Sequence, residues 1–222
     1  MVILVTGATG GLGPAVVKTF LRGGADAVFG VTRSWDGRSL PEGSFHPIEA
    51  DLTTVEGCRH AAQRARPVDA LVHVMGGFAG GTPVGETTDE VWNRMMDLNL
   101  RSAFYMIREV LPSMLEAGSG RIIAVGSRAG VKPAATLSAY AVSKAALHTL
   151  IRTVALEVAG SGVTANAVLP GVIDTAANRK AMPRADYTKW VKPEAIAEVL
   201  LWLASSEAAE VNGALVPVYG RS

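Results

Sequence analysis

Short apolar runs alternate with segments of helical periodicity along the whole chain. The first run, Val2-Ile-Leu-Val5, shows no alternation with polar residues, which is typical of a strand buried on both faces of a parallel sheet. Between the runs, apolar residues recur every three or four positions, the spacing of one buried helical face. Strands that alternate with helices predict an α/β fold, a single doubly wound domain over residues 1–222, with helices flanking a seven-stranded, mostly parallel sheet. The predicted strands are 2–6, 27–31, 45–50, 70–75, 121–125, 164–168 and 214–218.

The later helical segments differ in regularity. Residues 86–100 have helical spacing, and after a break a second amphipathic helix covers 103–115. Residues 178–190 read as irregular and polar with aromatic side chains, so we predict a small lid at about 174–192. A last helix covers 193–204.

A glycine-rich turn connects the first strand to the first helix. Gly7 permits the tight turn, Gly11 lets the backbone approach a pyrophosphate, and Gly13 allows close packing of helix and strand. Thr9 and Leu12 lie within the same turn. The free N–H groups at the start of the following helix are suited to hold phosphates. The strand, glycine turn and helix together predict a dinucleotide-binding site.

The end of the second strand bears on the choice of dinucleotide. An acidic residue about twenty positions past the glycine motif would bind the ribose 2′-hydroxyl of NAD. That position holds Thr32-Arg33-Ser34 instead, although Asp36 follows closely. A guanidinium suits the 2′-phosphate of NADP, so Arg33 favours NADP(H), with NAD(H) left open.

Tyr140 and Lys144 point to proton chemistry. They are four positions apart in a predicted helix, so their side chains share one face. A phenol with a pKa of about 10 is a poor proton donor or acceptor at neutral pH. A fixed cation beside it is expected to lower that pKa towards the working range. The pair therefore predicts proton transfer to or from an alcohol oxygen.

Composition narrows the range of partners and compartments. The net charge of +1 gives no electrostatic reason to expect nucleic acid or an anionic membrane surface. No apolar run approaches the roughly 18 residues that a membrane span needs. Cys58 is the single cysteine, which favours a reducing compartment, and the histidines show no metal-ligand spacing. We expect a soluble, cytoplasmic protein with a small-molecule substrate and no metal.

Several motifs together resemble one known family over nearly the whole chain. By their order and spacing, the chain resembles the short-chain dehydrogenases/reductases, which bind NAD(P) in a Rossmann-type fold. The matching pieces are Thr6-Gly7-x-x-x-Gly11-Leu-Gly13, Asp51-Leu52, Asn99, Ser127, Tyr140-x-x-x-Lys144 and Pro170-Gly171-x-x-x-Thr175.

The resemblance implies a role for each catalytic candidate. Tyr140 would be the general acid in reduction, and Lys144 would lower its pKa and hold the nicotinamide ribose. Ser127 would hydrogen-bond the substrate carbonyl as charge develops on it, and Asn99 would seat a water that links Lys144 to solvent. Tyr140 would also contact the cofactor. The further residues that the resemblance places at the cofactor are Asp51, Leu52, Met75, Gly76, Pro170, Gly171, Val172, Ile173 and Thr175.

One departure from the family suggests a narrower likeness. The family usually has Asn-Asn-Ala-Gly after strand four, where this chain has His73-Val-Met-Gly76. We expect His73 to be buried and hydrogen-bonded. Dihydropteridine reductases, a branch of the family, have similar residues at 76–81 and 174–190. That branch prefers NADH and as a rule lacks the serine found here as Ser127.

Three functions follow as hypotheses. The first is reduction of a small carbonyl compound, with a 3-oxoacyl thioester as one option. The second is reduction of a pterin, and the third is a dinucleotide-binding sensor without turnover. Because the helices over 103–115 and 141–158 carry more apolar surface than one sheet face needs, and the family pairs these helices across subunits, we predict a homodimer or homotetramer.

Overall fold

A seven-stranded sheet of order β3-β2-β1-β4-β5-β6-β7 forms the centre of the molecule. The computed structural model describes residues 1–35 and 41–221, so Asp36 lies outside the described residues. Each pairing between neighbouring strands of this sheet is parallel, which confirms the predicted α/β class. The strands are β1 Val2–Thr6, β2 Ala27–Thr32, β3 Phe45–Glu49, β4 Ala70–His73, β5 Gly120–Val125, β6 Val163–Pro170 and β7 Leu215–Val218.

Helices cover both faces of the sheet. The helices are α1 Gly13–Arg22, α2 Val55–Arg64, α3 Asp89–Met96, α4 Ser102–Ala117, α5 Ser138–Glu157, α6 Ala176–Ala181 and α7 Pro193–Ala204. One core cluster joins the sheet to α2, α4 and α5, and it includes Met106 and Leu147, both fully buried. The other joins it to α1 and α7 through Phe20 and Leu200.

Local chemistry fixes several helix ends. Pro14 occupies the first turn of α1, where its missing N–H costs no hydrogen bond. The Thr54 hydroxyl caps α2 by accepting from the Gly57 N–H at 3.0 Å. At the end of α4, Gly118 adopts a left-handed conformation with φ of 63°, which glycine reaches without steric cost.

The predicted break between the two helices of 86–115 was wrong. The segment Asp97–Arg101 is a π-helix that connects α3 directly to α4. A π segment adds about one residue per turn without interrupting the helix. The extra residue shifts the spacing of apolar positions, so the sequence pattern looks as if one helix ends and another begins. The lid is also more regular than predicted, because its first part is α6 and Tyr187–Lys189 forms a 3₁₀ turn.

The carboxyl edge of the sheet collects the sequence motifs. In the sheet order, β1 lies between β2 and β4, and the chain leaves β1 and β4 towards opposite faces. Such a switch point opens a crevice for ligands at the strand ends. The crevice therefore brings together the segments after β1, β4, β5 and β6. Within residues 1–35 and 41–221, no helix has the length and apolar character to cross a membrane.

Candidate active site

The glycine turn after β1 is built so that side chains would not fit. A Cβ on Gly7, whose φ is +67°, would lie 2.9 Å from the Met75 Cα, and one on Gly13 would lie 2.3 Å from the Gly7 carbonyl oxygen. At Gly11, a Cβ would meet the Thr175 side chain at 2.9 Å. The turn thus packs against both the loop after β4 and the start of the lid. Its bare backbone in front of α1 fits the pyrophosphate of a dinucleotide.

The neighbouring strand ends hold the candidates for the adenosine half. Thr9 and Thr32 share a hydrogen bond of 2.7 Å between their hydroxyls, which joins the glycine turn to β2. Asp51 accepts from the Thr53 hydroxyl and N–H, and these bonds, with a smaller effect of the Arg33 charge, hold the pKa of the Asp51 carboxyl below its usual value. Arg33 is exposed at this edge.

Leu52, a member of the predicted cofactor set, does not line the cavity described below. Its side chain is 2% exposed and belongs to the core beneath α2.

A cavity of about 970 Å³ opens beside the glycine turn. Its walls come from the glycine turn, the loops after β4, β5 and β6, α5 and the lid. Candidate residues that line it are Leu12, Gly76, Ser127, Tyr140, Lys144, Pro170, Gly171, Val172 and Ile173.

Ser127 and Tyr140 form the first part of the catalytic arrangement. Ser127 lies two positions after the end of β5 and is 8% exposed. Its hydroxyl accepts from the Ala129 N–H at 3.1 Å, which holds the side chain in a tight turn. The Ser127 hydroxyl lies close enough to Tyr140 to lower the pKa of its phenol, and both residues line the cavity. Both hydroxyls therefore face the same part of the cavity.

The predicted lowering of the Tyr140 pKa was wrong for this structure. Burial raises the pKa of Tyr140, and the nearby Ser127 hydroxyl offsets part of the rise. The Lys144 ammonium is engaged elsewhere, because Nζ donates to the Val125 carbonyl at 2.8 Å. A neutral phenol at neutral pH is a proton donor, which is the form that a reductase needs.

Lys144 and Asn99 meet at the loop after β4. A Cβ on Gly76 would lie 2.7 Å from Asn99 Oδ1 and 3.2 Å from Lys144 Nζ, so only glycine fits between them. Lys144 is 4% exposed, and burial lowers its pKa to about 8. Strongly shifted pKa values cluster at functional sites, so Lys144 is a candidate for a functional role.

A family model described as short chain dehydrogenase matches residues 1–186. The chain belongs to the short-chain dehydrogenase family.

Relatives agree with this assignment over nearly the full length. An uncharacterized oxidoreductase from Bacillus subtilis (strain 168), YvrD, is 32% identical over 98% of this chain and 94% of its own. D-beta-hydroxybutyrate dehydrogenase from Rhizobium meliloti (strain 1021) is 32% identical over 98% and 96%. A Beutenbergia cavernae protein assigned as an NAD(P) dependent gluconate 5-dehydrogenase, solved with NADP at low occupancy, has a TM-score of 0.88 and 32% identity over 98% of this chain and 94% of that one. This short-chain dehydrogenase is an NAD(P)-dependent oxidoreductase.

Asn99 has a clear structural role in the short-chain dehydrogenase. It lies in the π segment, fully buried. Its Oδ1 accepts from the Gly77 N–H at 2.9 Å, and its Nδ2 donates to the Gly77 carbonyl at 3.1 Å and to the Ser143 hydroxyl at 3.0 Å. Asn99 therefore fixes the loop after β4 against α5, where its partner Ser143 directly precedes Lys144. The predicted water between Asn99 and Lys144 stays a prediction.

His73 replaces the family's usual asparagine with a different network. It is fully buried, as expected, and burial followed by the Lys144 charge lowers its pKa to about 3. The Thr6 hydroxyl accepts from the Met75 N–H at 3.1 Å and is 3.1 Å from His73 Nδ1. His73 Nε2 is 3.3 Å from the Ser102 hydroxyl, which donates to the Leu98 carbonyl at 2.9 Å.

One proton arrangement satisfies this whole network. The Ser102 hydroxyl uses its single hydrogen to bond the Leu98 carbonyl, so it must accept from His73 Nε2–H. A neutral imidazole with its hydrogen on Nε2 has an unprotonated Nδ1, which therefore accepts from the Thr6 hydroxyl. A neutral imidazole thus connects β1, β4 and α4 at the centre of the sheet. The low pKa keeps it neutral across the working range, so His73 is structural and not a proton donor to substrate.

Beside the site lie Phe78, which the sequence marked only as part of the loop 76–81, and His148, whose contact with the site was not predicted. Phe78, 66% exposed, places its ring edge-on to Tyr140 with centroids 4.9 Å apart. His148 lies beneath the Ser127 turn. The signal for His148 was its position, since it continues the four-residue spacing of Tyr140 and Lys144. Within residues 1–35 and 41–221, no cluster of three or more His, Cys, Asp or Glu side chains could hold a metal ion.

Proposed function

We propose that this short-chain dehydrogenase is an NADPH-preferring reductase of small carbonyl compounds, with Tyr140 as the general acid. The observation that carries the proposal is that Ser127, Tyr140 and Lys144 line one cavity, with the Ser127 hydroxyl close enough to lower the pKa of Tyr140. A bound nicotinamide dinucleotide supplies the hydride in such an enzyme. The residues of this chain position the substrate and supply the proton.

Each side chain then has a defined task. The Ser127 hydroxyl donates to the carbonyl oxygen as negative charge develops there. Tyr140, protonated because of its burial, transfers its proton to that oxygen. Lys144 places a positive charge below the site, and Asn99 keeps the loop after β4 in place. The glycine turn and the segment Pro170-Gly-Val-Ile173 are suited to hold the dinucleotide.

Turnover with a carbonyl panel tests this function. Purified enzyme is incubated with NADPH and, separately, NADH against aldehydes, ketones, keto acids and a 3-oxoacyl thioester, and absorbance of the reduced cofactor is followed. We expect faster oxidation of NADPH with at least one carbonyl class. Absence of turnover across the panel, with cofactor binding intact, would contradict the proposal.

Pterin reduction is the second candidate. Phe78 stands at the cavity mouth with its ring against Tyr140, a suitable wall for a flat heteroaromatic substrate. Reduction of a C=N bond in such a ring does not depend on a serine hydroxyl at a carbonyl oxygen. Activity with quinonoid dihydropterin that persists in Ser127→Ala would favour this candidate, and absence of any pterin activity would remove it.

Arg33 sets the cofactor preference in this proposal. We expect Arg33→Ala to weaken NADPH binding by roughly 10–100-fold, the value of one or two charge-assisted hydrogen bonds, and to leave NADH binding nearly unchanged. Fluorescence titration of both cofactors measures the effect. Arg64→Ala is the matched control, because Arg64 is also exposed but lies in the last turn of α2. Equal weakening of NADPH binding and NADH binding would show that Arg33 does not contact the 2′-phosphate.

A second copy of the chain is proposed as the partner of α4 and α5. Phe104 on α4 is 44% exposed and Leu156 on α5 is 80% exposed, and both helices cover the same sheet face. We expect light scattering to give a dimer or tetramer, and Phe104→Glu with Leu156→Glu to shift the mass towards the monomer. Val84→Glu, a change at a residue 75% exposed outside these helices, should have no such effect. A monomeric wild type would refute the prediction.

A further inference from the structure

His148 occupies the turn of α5 that follows Lys144. The two residues are four positions apart, so they share the face that also carries Tyr140. Unlike Tyr140, His148 does not line the cavity. It is 4% exposed and lies beneath the turn that begins at Ser127. The catalytic role proposed above for Tyr140 and Lys144 leaves this side chain without a function.

The imidazole fills a slot that two glycines keep open. A Cβ on Gly126 would lie 2.3 Å from His148 Nε2, and a Cβ on Gly130 would lie 2.5 Å from His148 Cε1. Gly126 precedes Ser127, and Gly130 closes the turn by donating to the Ser127 carbonyl at 3.0 Å. The ring therefore lies against both ends of the Ser127 turn, where any larger residue would displace it.

One hydrogen bond joins the ring to the catalytic turn. The Ser127 N–H donates to His148 Nε2 at 3.3 Å. An accepting Nε2 requires the neutral tautomer with its hydrogen on Nδ1. Nδ1 itself is buried, and among the described residues it has no hydrogen-bond partner. The ring is therefore held by Nε2 and by packing alone.

The surroundings of His148 keep Nε2 unprotonated, so that it can accept a hydrogen bond. Burial, followed by the positive charge of Lys144, lowers the pKa of His148 to about 4. A protonated ring would turn an N–H towards the Ser127 N–H and lose the bond. Across the neutral range the ring is uncharged and accepts.

We propose that His148 is a positioning residue, which fixes the Ser127 turn by accepting its backbone N–H and so aims the Ser127 hydroxyl at the substrate oxygen beside Tyr140. Ser127 has two restraints in this arrangement. Its hydroxyl is bound from within the turn by the Ala129 N–H, and its backbone is bound from below by His148. A loss of the lower restraint frees the turn to shift, and misplacement of a catalytic group by 1 Å costs up to about 100-fold in rate.

The proposal rests on the proposed role of Ser127, so its test is a double-mutant cycle together with a measurement that needs no activity. His148→Leu removes the acceptor and keeps an apolar side chain of similar size. His148→Gln restores an acceptor at the position of Nε2, whereas His148→Asn carries its amide at the position of Nδ1 and is the matched polar control. Each change is made in the wild type and in Ser127→Ala.

The kinetic expectation is specific to an effect through Ser127. In the wild-type background we expect His148→Leu and His148→Asn to lower kcat by about tenfold, with the KM for NADPH unchanged, and His148→Gln to recover most of the loss. In Ser127→Ala, the same changes should lower kcat by less than about twofold, because the hydroxyl to be positioned is gone. Equal losses in both backgrounds, or an equal effect of Gln and Asn, would overturn the proposal.

The ¹⁵N chemical shifts of the His148 ring decide the geometry independently of turnover. We expect a protonated Nδ1 and an unprotonated Nε2 at pH 7. A ring protonated at Nε2 would exclude the bond to Ser127 and overturn the proposal, even if a variant fails to fold. If no carbonyl is reduced but the Nδ1–H tautomer is found, the proposed function fails while the contact between His148 and the Ser127 turn stands.

Discussion

Replacing Tyr140 by phenylalanine is expected to lower kcat for carbonyl reduction by about 10³-fold, within the range that a lost general acid causes. The substitution removes one oxygen atom and keeps the ring. The edge-on contact with Phe78 at 4.9 Å should therefore persist. Because nothing in the glycine turn changes, binding of NADPH should stay within about twofold of the wild type. Steady-state kinetics and a fluorescence titration measure the two quantities.

Tyr105→Phe is the control for this experiment. Tyr105 is a half-buried tyrosine on α4 whose ring lies beside Arg108, away from the cavity. The same loss of a hydroxyl there should leave kcat unchanged. If Tyr140→Phe kept full activity, the general acid would be another group. If neither protein turned over any substrate and Tyr140→Phe still served the biological role, a dinucleotide-binding sensor would be the better explanation.

Lys144→Met is expected to lower kcat by about 10²-fold while the folded state becomes no less stable. The pKa of Lys144 falls from 10.5 to about 8 because the fold buries its ammonium, a penalty of about 3 kcal/mol at neutral pH. The substitution removes that penalty. It also removes the donor to the Val125 carbonyl, which costs about 1–2 kcal/mol. We therefore expect a net gain of about 1–2 kcal/mol in the free energy of unfolding.

The predicted effect of Lys144→Met on stability can also be tested through the pH dependence of the free energy of unfolding. The unfolded chain holds the Lys144 proton more tightly than the fold does, so wild-type stability should rise as pH increases from about 8 towards 10.5. Lys144→Met lacks this group, so the difference in stability between the two proteins should shrink over that window. Urea unfolding at pH 7 and pH 9.5 measures it. A variant that loses activity and stability together would show that Lys144 mainly supports the fold.

The glycine turn after β1 could be predicted from the sequence because its shape depends on the backbone and not on side-chain contacts. The glycines of the first turn sit between a strand and a helix, and their spacing alone limits what can lie there. The φ of +67° at Gly7 and the clash of a Cβ at Gly13 agree with the predicted tight turn and close packing, whereas the approach of Gly11 to a pyrophosphate stays a prediction. The pair Tyr140 and Lys144 was recognisable because helical periodicity is regular enough to put residues four apart on one face.

The features that sequence reasoning missed depend on contacts between distant segments. The Tyr140 pKa is set by burial under several loops, which no local pattern records, and the Lys144 ammonium turned out to be bound to the Val125 carbonyl. Likewise, His73 was readable as buried, but its partners Thr6 and Ser102 lie 67 and 29 positions away. Asn99 was correctly read as helical, but a break was predicted between residues 100 and 103, because the extra residue of the π segment shifts the phase of the apolar pattern.

A crystal structure of the enzyme with NADPH tests the central claim most directly, because it shows what lies beside the Tyr140 hydroxyl. We expect the pyrophosphate on the glycine turn and the nicotinamide in the cavity between Tyr140 and the segment after β6, with Lys144 released from the Val125 carbonyl towards the ribose. A dinucleotide bound elsewhere, or a nicotinamide out of reach of Tyr140 and Ser127, would contradict a role for this pair in reduction.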